Sequence, residues 1–312
     1  MDYRPLGRSG IEVSRVILGC GNFGGIGSAP ELFGQGESDE EAAAIMDRAW
    51  ELGITTFDTA DAYGGGRSEA AIGHWLAARG VRPVLTTKTF NPMGPGEDSG
   101  LAPERIRRQL GSSLERLGVE HVDLYLTHAP DPETPLAETL EALDELVAEG
   151  RIGAYGGANV DGAVLREASG RYAWVQNSYS LLDRADEVEV LPLVEGHGLG
   201  YTPFSPLSGG WLADRYRRGE APPAGSRMTM RPEPYAHLDR EEVWRGLDEL
   251  RRGAEARGVD MPTLAYAWLL SDPRVTAVVV GPRRPEHLEP AIRALELELD
   301  EAERTELAGL FS

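Results

Sequence analysis

Short apolar runs rich in β-branched residues alternate with amphipathic helical stretches along the whole chain. Eight of these runs have the length and composition of strands, and the stretches between them have helical periodicity. The predicted strands cover residues 15–20, 55–59, 83–88, 122–128, 153–159, 173–178, 199–205 and 275–281. Repeated strand–helix alternation favours a parallel sheet, and eight such units in 312 residues are typical of a (β/α)8 barrel. We therefore predict an α/β fold, a TIM barrel formed by residues 1–312 as a single domain.

A doubly wound sheet is the competing α/β architecture. It requires a glycine fingerprint in the first strand–helix turn, with the helix following directly. The glycines of residues 18–25 do not meet this requirement, because the next helical pattern begins only near Asp39. The barrel is therefore the preferred prediction.

Three segments lie outside the eight units. Residues 3–14 predict a β-hairpin with a Gly-Arg-Ser-Gly turn, which we expect to close the lower mouth of the barrel. Residues 24–38 and 208–240 are too long for ordinary barrel connections. We expect both to form functional loops at the C-terminal face, where barrel enzymes hold their active sites.

The charge balance restricts the partners. With 31 basic and 51 acidic residues, the formal net charge is -20, which disfavours nucleic acid because phosphate binding needs a basic face. Acidic substrates are disfavoured for the same reason, unless a local field overrides the net charge. Neither a membrane-spanning apolar run nor a signal-peptide core is found.

A single cysteine, Cys20, fits a reducing cytoplasm. It excludes an internal disulfide and any multi-cysteine metal site. We expect a cytoplasmic protein without a metal, and the sequence leaves open whether the chain forms a homo-oligomer.

Four titratable side chains follow successive predicted strands. Asp58 and Tyr63 lie where an apolar run gives way to the Gly-rich loop of FDTADAYGGGRSE, residues 57–69. Lys88 ends the next apolar run and His128 ends the one after it. Because the carboxyl ends of barrel strands meet at one rim, we expect these four groups to lie together. Such a set is suited to moving a proton and a hydride.

The chain resembles the aldo-keto reductase family nearly from end to end. The order and spacing of the segments carry this resemblance: YRPLGRSG, FDTADAYGGGRSE, VLTTK, DLYLTHAPDP, YGGAN, VQNSYSLLDR, PFSPLSGG and VVGPRRPEHLE. The resemblance implies a barrel that binds NADPH in extended form without a Rossmann domain. It also implies that the substrate is a small aldehyde or ketone, reduced to an alcohol by hydride transfer.

The catalytic tetrad that the resemblance implies consists of Asp58, Tyr63, Lys88 and His128. Tyr63 would be the general acid that protonates the carbonyl oxygen. A phenol has a pKa of about 10, and we expect the Lys88 ammonium to lower it by favouring the phenolate. Asp58 would hold Lys88 in place, and His128 would orient the substrate oxygen by a hydrogen bond.

The resemblance also implies a nicotinamide site. Asn159 and Gln176 would bind the carboxamide, since an amide both donates and accepts hydrogen bonds. Phe204 would stack on the nicotinamide ring. Gly21 and Asn22, after the first barrel strand, would approach the same end of the cofactor.

Two further groups of residues would bind the phosphates. The pyrophosphate loop would contain Ser205, Leu207 and Gly209. The adenosine 2′-phosphate would lie at Gly281, Arg283 and His287, where the guanidinium of Arg283 suits a phosphate. Three positions depart from the family pattern, and we expect them to remove contacts to the carboxamide or the adenine: Ala158, Pro290 and Ala291.

The substrate pocket is predicted from residues on the upper loops. The candidates are Phe23, Tyr63, Phe90 and Ala129, with either Trp211 or Tyr235 as a further one. Trp211 lies on an apolar stretch, which is more typical of core packing. Aromatic rings at a barrel mouth suit an apolar or sugar-like carbonyl compound.

Two other functions are compatible with these residues. Some barrels of this family, such as potassium-channel β subunits, act chiefly as cofactor-binding regulatory or redox-sensing subunits with little turnover. A phosphate-binding barrel isomerase or lyase, with Lys88 as a Schiff-base amine or a proton relay, would act without nicotinamide. Turnover with a carbonyl compound and NADPH distinguishes all three.

Overall fold

The computed structural model describes residues 1–168 and 170–311. Its strands are β1 (Tyr3–Pro5), β2 (Glu12–Ser14), β3 (Val16–Gly19), β4 (Thr56–Asp58), β5 (Val84–Thr89), β6 (Val122–Thr127), β7 (Ile152–Ala158), β8 (Trp174–Gln176), β9 (Gly200–Tyr201) and β10 (Val278–Val280). The α-helices within these ranges are α1 (Asp39–Glu51), α2 (Arg67–Arg79), α3 (Pro103–Leu117), α4 (Leu136–Ala148), α5 (Gly162–Glu167), α6 (Val190–His197), α7 (Arg227–Met230), α8 (Glu241–Ala256), α9 (Met261–Leu270), α10 (Glu289–Ala294) and α11 (Glu301–Gly309).

Strands β3 to β10 form one parallel sheet in the order β10-β3-β4-β5-β6-β7-β8-β9. The two ends of this order meet, because the Thr276 amide donates to the Tyr201 carbonyl at 2.8 Å and the Val279 amide donates to the Pro203 carbonyl at 2.9 Å. The predicted (β/α)8 barrel is therefore confirmed. Strand β9 is shorter than the predicted 199–205, because Pro203 has no amide to donate and Ser205 turns left-handed, with φ 54°.

The N-terminal hairpin closes the lower mouth of the barrel, as predicted. Strands β1 and β2 pair antiparallel, and Leu6 between them is 1% exposed within the barrel interior, in one apolar cluster with Leu124 and Trp174. The hairpin turn packs closely against the sheet at Gly7, where a Cβ would be 2.2 Å from the Ala173 carbonyl oxygen. Gly7 also has φ +51°, so a side chain is excluded on both grounds.

Amphipathic helices such as α3 cover the outside of the sheet with an apolar face. Helix α3 begins at Pro103 and ends at Leu117, and the following Gly118, whose φ is 67°, caps it. Its buried residues include Ile106, Leu110 and Leu114 at helical spacing, each worth about 1.5–3 kcal/mol of burial. This packing holds the strands, and therefore the strand ends, in fixed positions. No helix within the described ranges is long and apolar enough to span a membrane.

The two long loops at the C-terminal face pack against each other. Ile26, Ala29 and Leu32 form an apolar cluster against Met230 of α7. Together the two loops form one wall of the cavity at this face.

Candidate active site

A cavity of about 1150 Å³ lies at the C-terminal ends of the barrel strands. Its lining includes every catalytic and cofactor-binding residue predicted from the sequence except Lys88: Gly21, Asn22, Asp58, Tyr63, His128, Asn159, Gln176, Phe204, Ser205, Leu207, Gly209, Gly281, Arg283 and His287. Lys88 lies behind this surface, where it is 1% exposed. One cavity thus brings together the residues that were expected to hold substrate and cofactor.

Asp58 and Lys88 form a buried ion pair at the ends of β4 and β5. The Lys88 Nζ lies 2.5 Å from Asp58 Oδ1 and also donates to the Thr59 carbonyl at 3.0 Å. The other carboxylate oxygen, Oδ2, accepts from Gln176 Nε2 at 2.8 Å. Gln176, predicted to bind the carboxamide, therefore also holds the carboxylate. With both oxygens bonded, Asp58 fixes the position of the ammonium.

Tyr63 lies beside this pair because the loop after β4 turns sharply. Gly64, Gly65 and Gly66 all have positive φ values, between 60° and 90°, a conformation that costs glycine little. The turn places the Tyr63 ring with its centroid 5.1 Å from Lys88 Nζ. The His128 ring stands edge-on to it, with the two centroids 5.4 Å apart.

Opposing influences act on the pKa of Tyr63. Burial raises it, and the Lys88 ammonium lowers it, as the sequence predicts. Burial is the larger effect, however, so the pKa lies above the ordinary value of 10.0. The expectation of a net lowering is therefore wrong, because Lys88 only limits a rise in the pKa that burial causes. The phenol is protonated at neutral pH and can serve as an acid.

Lys88 remains charged despite its burial. Burial alone would lower the pKa of Lys88, but the Asp58 carboxylate and the Tyr63 phenol together bring it above its ordinary value. A Schiff-base amine must instead be neutral and reach the substrate. The charge and the position of Lys88 therefore weigh against a Schiff-base role.

His128 is neutral, and a residue that the sequence analysis missed contacts it. Burial, and then the nearby Lys88 ammonium, lower the pKa of His128 to about 3. The Asn91 amide nitrogen lies 3.1 Å from His128 Nδ1. If the amide donates, Nδ1 accepts and the ring proton must be on Nε2. The signal that could have found Asn91 is its place three residues after Lys88, in the loop that follows β5.

A buried guanidinium holds the backbone of Asn91. Arg105 is 3% exposed, and its Nη2 donates to the Asn91 carbonyl at 2.8 Å. Its Nη1 donates to Thr89 Oγ1 at 2.9 Å and to the Gly100 carbonyl at 3.0 Å. The loop that carries Asn91 is therefore tied to β5, which also carries Lys88.

The backbone is unusual along the predicted nicotinamide and pyrophosphate contacts. Asn159, Ser205 and Ser208 have φ values of 55°, 54° and 45°, in the left-handed region that non-glycine residues rarely occupy. Such residues cluster at ligand sites, where neighbouring structure enforces them. The Asn159 Nδ2 donates to the His128 carbonyl at 2.8 Å, which links this loop to the tetrad.

Gly209 shows why the pyrophosphate loop needs a glycine. It has φ +64°, and a Cβ there would be 2.5 Å from the Tyr235 ring. Ser205 Oγ also lies 3.2 Å from the Tyr235 hydroxyl. The loop is thus packed against Tyr235, with its backbone able to approach a ligand closely.

Arg283, at the predicted 2′-phosphate site, already has partners. Its Nε donates to Glu37 Oε1 at 2.8 Å, and its Nη1 donates to the Gly225 carbonyl at 2.7 Å. Its backbone amide donates to His287 Nδ1 at 3.2 Å, and burial is the main cause of a lowered pKa for His287. Glu37 was not predicted from the sequence.

Arg227 was not predicted either. It lines the cavity, and its Nη2 donates to Asn22 Oδ1 at 2.6 Å. Burial is the largest cause of its lowered pKa, and the nearby Arg283 and Arg231 add to the lowering. The long loop after β9 therefore brings positive charge to the cavity of a chain whose net charge is strongly negative.

The predicted substrate pocket is only partly right. Ala129 and Tyr235 line the cavity, but Phe23 is fully buried in the layer between sheet and helices, and Phe90 packs against the same layer. Trp211 is core, as its apolar surroundings indicate: its ring lies 5.0 Å from that of Trp244.

Comparison with known proteins agrees with this geometry. The model of the aldo/keto reductase family matches residues 15–310. The chain is 36% identical to an uncharacterized oxidoreductase of Bacillus subtilis, over 96% of this chain and 93% of that protein. It is 34% identical to an NADH-specific methylglyoxal reductase of Escherichia coli, over 96% and 95% of the two chains. A probable voltage-gated potassium channel subunit beta of Arabidopsis thaliana is 32% identical, over 95% and 92%. The chain belongs to the aldo/keto reductase family.

Proposed function

We propose that this chain reduces aldehyde or ketone carbonyls to alcohols with NADPH, using Tyr63 as the general acid. One observation carries the proposal. The Tyr63 phenol lies between the charged Lys88–Asp58 pair and the neutral His128, on the wall of a large cavity. This arrangement supplies a proton donor, a cation to stabilise its conjugate base, and a second hydrogen-bond donor.

The cavity fits a dinucleotide. It runs from Asn159 and Gln176 at the tetrad to Arg283 and His287, and the left-handed loop at Gly209 lies along it. Asn159, Gln176 and Phe204 would hold the nicotinamide; Ser205, Leu207, Gly209 and Arg227 would hold the pyrophosphate; Gly281, Arg283 and His287 would hold the 2′-phosphate. When bound, the reduced nicotinamide supplies a hydride to the carbonyl carbon.

Tyr63 donates its proton to the carbonyl oxygen as negative charge develops there. The phenolate that remains is stabilised by the Lys88 ammonium, which Asp58 and the Thr59 carbonyl keep in place. A positioned acid of this kind typically contributes about 10²–10⁴ in rate. Because the ammonium is buried, its field at the phenol is screened less than it would be in water.

His128 binds the same oxygen from the other side. With Nδ1 accepting from Asn91, the Nε2 proton is available to the substrate. A neutral imidazole is the weaker acid, so His128 orients the carbonyl while Tyr63 transfers the proton. Asn91 is therefore a positioning residue.

The direct test is a titration with NADPH followed by a panel of aldehydes and ketones. Binding should quench tryptophan fluorescence, and at least one carbonyl compound should consume NADPH with formation of the alcohol. If the cofactor binds and no member of a broad panel is reduced, the regulatory role becomes the better account. The exposed large apolar side chains of the described residues, Tyr3, Val147 and Val188, lie on separate elements and offer such a role no evident docking face.

Asn91→Asp should disturb the tautomer of His128. A carboxylate facing Nδ1 favours a proton on that nitrogen and raises the pKa of His128 from about 3. We expect kcat to fall by about 10–100-fold where the ring is neutral, because Nε2 then lacks its proton, and to recover toward acid pH, where protonation of the ring restores that proton. The ¹⁵N chemical shifts of the ring measure the proton position directly, and Asn91→Ala, which adds no charge, is the control. Unchanged ¹⁵N shifts in Asn91→Asp would refute the positioning role.

Arg283→Ala should weaken the binding of NADPH far more than that of NADH. Only NADPH carries the 2′-phosphate, so we expect a loss of about tenfold or more for NADPH and less than about twofold for NADH. Fluorescence titration gives both dissociation constants. Arg284→Ala, a neighbour whose side chain is 73% exposed, is the matched control. Equal losses for both cofactors would remove the 2′-phosphate role from Arg283.

A further inference from the structure

Glu37 is a buried carboxylate directly behind the predicted 2′-phosphate site. Its side chain is 4% exposed, whereas that of its partner Arg283 is 36% exposed and faces the cavity. Within the described residues, Glu37 Oε2 is buried without a hydrogen-bond partner. The charge of Glu37 is therefore compensated mainly by Arg283.

The backbone of Glu37 is held in this position by two hydrogen bonds. Its amide donates to the Asn22 carbonyl at 2.9 Å, and its carbonyl accepts from the Gly24 amide at 2.9 Å. These bonds fix the backbone beside β3. A ligand that engages Arg283 therefore meets a buried carboxylate whose backbone is held beside the guanidinium.

The pair opposes the binding of a phosphate in two ways. The bond to Glu37 uses Arg283 Nε, and the bond to Gly225 uses Nη1. A phosphate that bound Arg283 in a bidentate manner through Nε would therefore break the ion pair with Glu37. Breaking a buried pair leaves an uncompensated charge and is costly. If Arg283 instead keeps Glu37 and binds the phosphate through its outer nitrogens, the carboxylate repels the phosphate across the guanidinium.

We propose that Glu37 is a specificity-determining residue. It competes with the 2′-phosphate of NADPH for Arg283, which weakens the binding of NADPH and so reduces the difference in affinity between NADPH and NADH. The proposal rests on the proposed function, in which Arg283 faces that phosphate. Glu37 has no effect on NADH in this account, because NADH carries a hydroxyl at the same place. The chain should accordingly accept NADH as well as NADPH.

The test compares the wild type with Glu37→Gln, which removes the charge and keeps the shape. Dissociation constants are measured by calorimetry for NADPH and NADH. They are also measured for adenosine 2′,5′-bisphosphate and adenosine 5′-monophosphate, which carry the adenosine end without nicotinamide. We expect Glu37→Gln to tighten NADPH and the bisphosphate by about tenfold, and to change NADH and the monophosphate by less than about twofold.

Two further variants make the result decisive. Glu40→Gln on the exposed side of α1 removes the same formal charge and should change none of the four constants. Glu37→Ser should reproduce the effect of Glu37→Gln. It provides the same test if the Glu37→Gln protein does not fold. Unchanged or weaker NADPH binding in both Glu37 variants would overturn the proposal and indicate that Glu37 orients Arg283 for the phosphate. A wild type that binds neither dinucleotide would instead overturn the proposed function.

Discussion

Tyr63→Phe should abolish most turnover and leave the binding of NADPH nearly unchanged. We expect kcat to fall by about 10³-fold, within the range that a positioned general acid contributes. The substitution removes one oxygen and keeps the ring that contacts Gly21 and His128. The dissociation constant for NADPH should therefore change by less than about twofold.

Tyr125 provides a matched control in the same barrel. Its side chain is fully buried, and its hydroxyl lies without a hydrogen-bond partner among the described residues. Tyr125→Phe removes the same atom at a position that does not line the cavity, so activity should be retained. Steady-state turnover and cofactor titration on the two variants show whether the Tyr63 hydroxyl is needed for catalysis. A Tyr63→Phe enzyme with wild-type kcat would show that the proton comes from elsewhere.

Lys88→Met should damage both catalysis and stability. The Asp58 carboxylate would lose its counter-ion, and removal of one partner from a buried pair typically costs about 3–5 kcal/mol. The Tyr63 phenolate would lose its stabilising cation at the same time. We expect kcat to fall by about 10³-fold or more and the denaturant midpoint to fall with it.

The double variant Asp58→Asn/Lys88→Met separates these two effects. Because it leaves no unpaired charge, it should recover much of the free energy of unfolding that the single variant loses, while kcat stays low. Urea unfolding and turnover are measured on all three proteins. Recovery of kcat together with stability would mean that Lys88 has a structural role only.

The fold and the proximity of the predicted catalytic residues were predictable because local signals determine them. Strand–helix alternation indicates a barrel, and a barrel brings the ends of its strands to one rim. Asp58 ends β4, Lys88 lies one residue before the end of β5, and His128 directly follows β6, so their proximity follows from the topology. The N-terminal hairpin likewise had its own turn signal.

Local sequence patterns do not indicate which distant segments of the chain contact each other. Glu37 and Arg283 are 246 residues apart, and Gln176 and Asp58 are 118 apart, so neither bond could be predicted from spacing. Phe23 was placed in the pocket because it follows a strand, but its side chain points into the layer between sheet and helices. The net pKa of Tyr63 depends on burial, which only the packed structure provides.

Isotope transfer tests the central claim most directly. NADPH deuterated at both C4 positions is mixed with the enzyme and a carbonyl compound that it reduces, and the alcohol is analysed by mass spectrometry. Hydride transfer from the nicotinamide predicts one deuterium on the carbinol carbon for each cofactor oxidised, with the hydroxyl proton coming from Tyr63 and thus from solvent. Alcohol without deuterium on that carbon would contradict hydride transfer in this cavity.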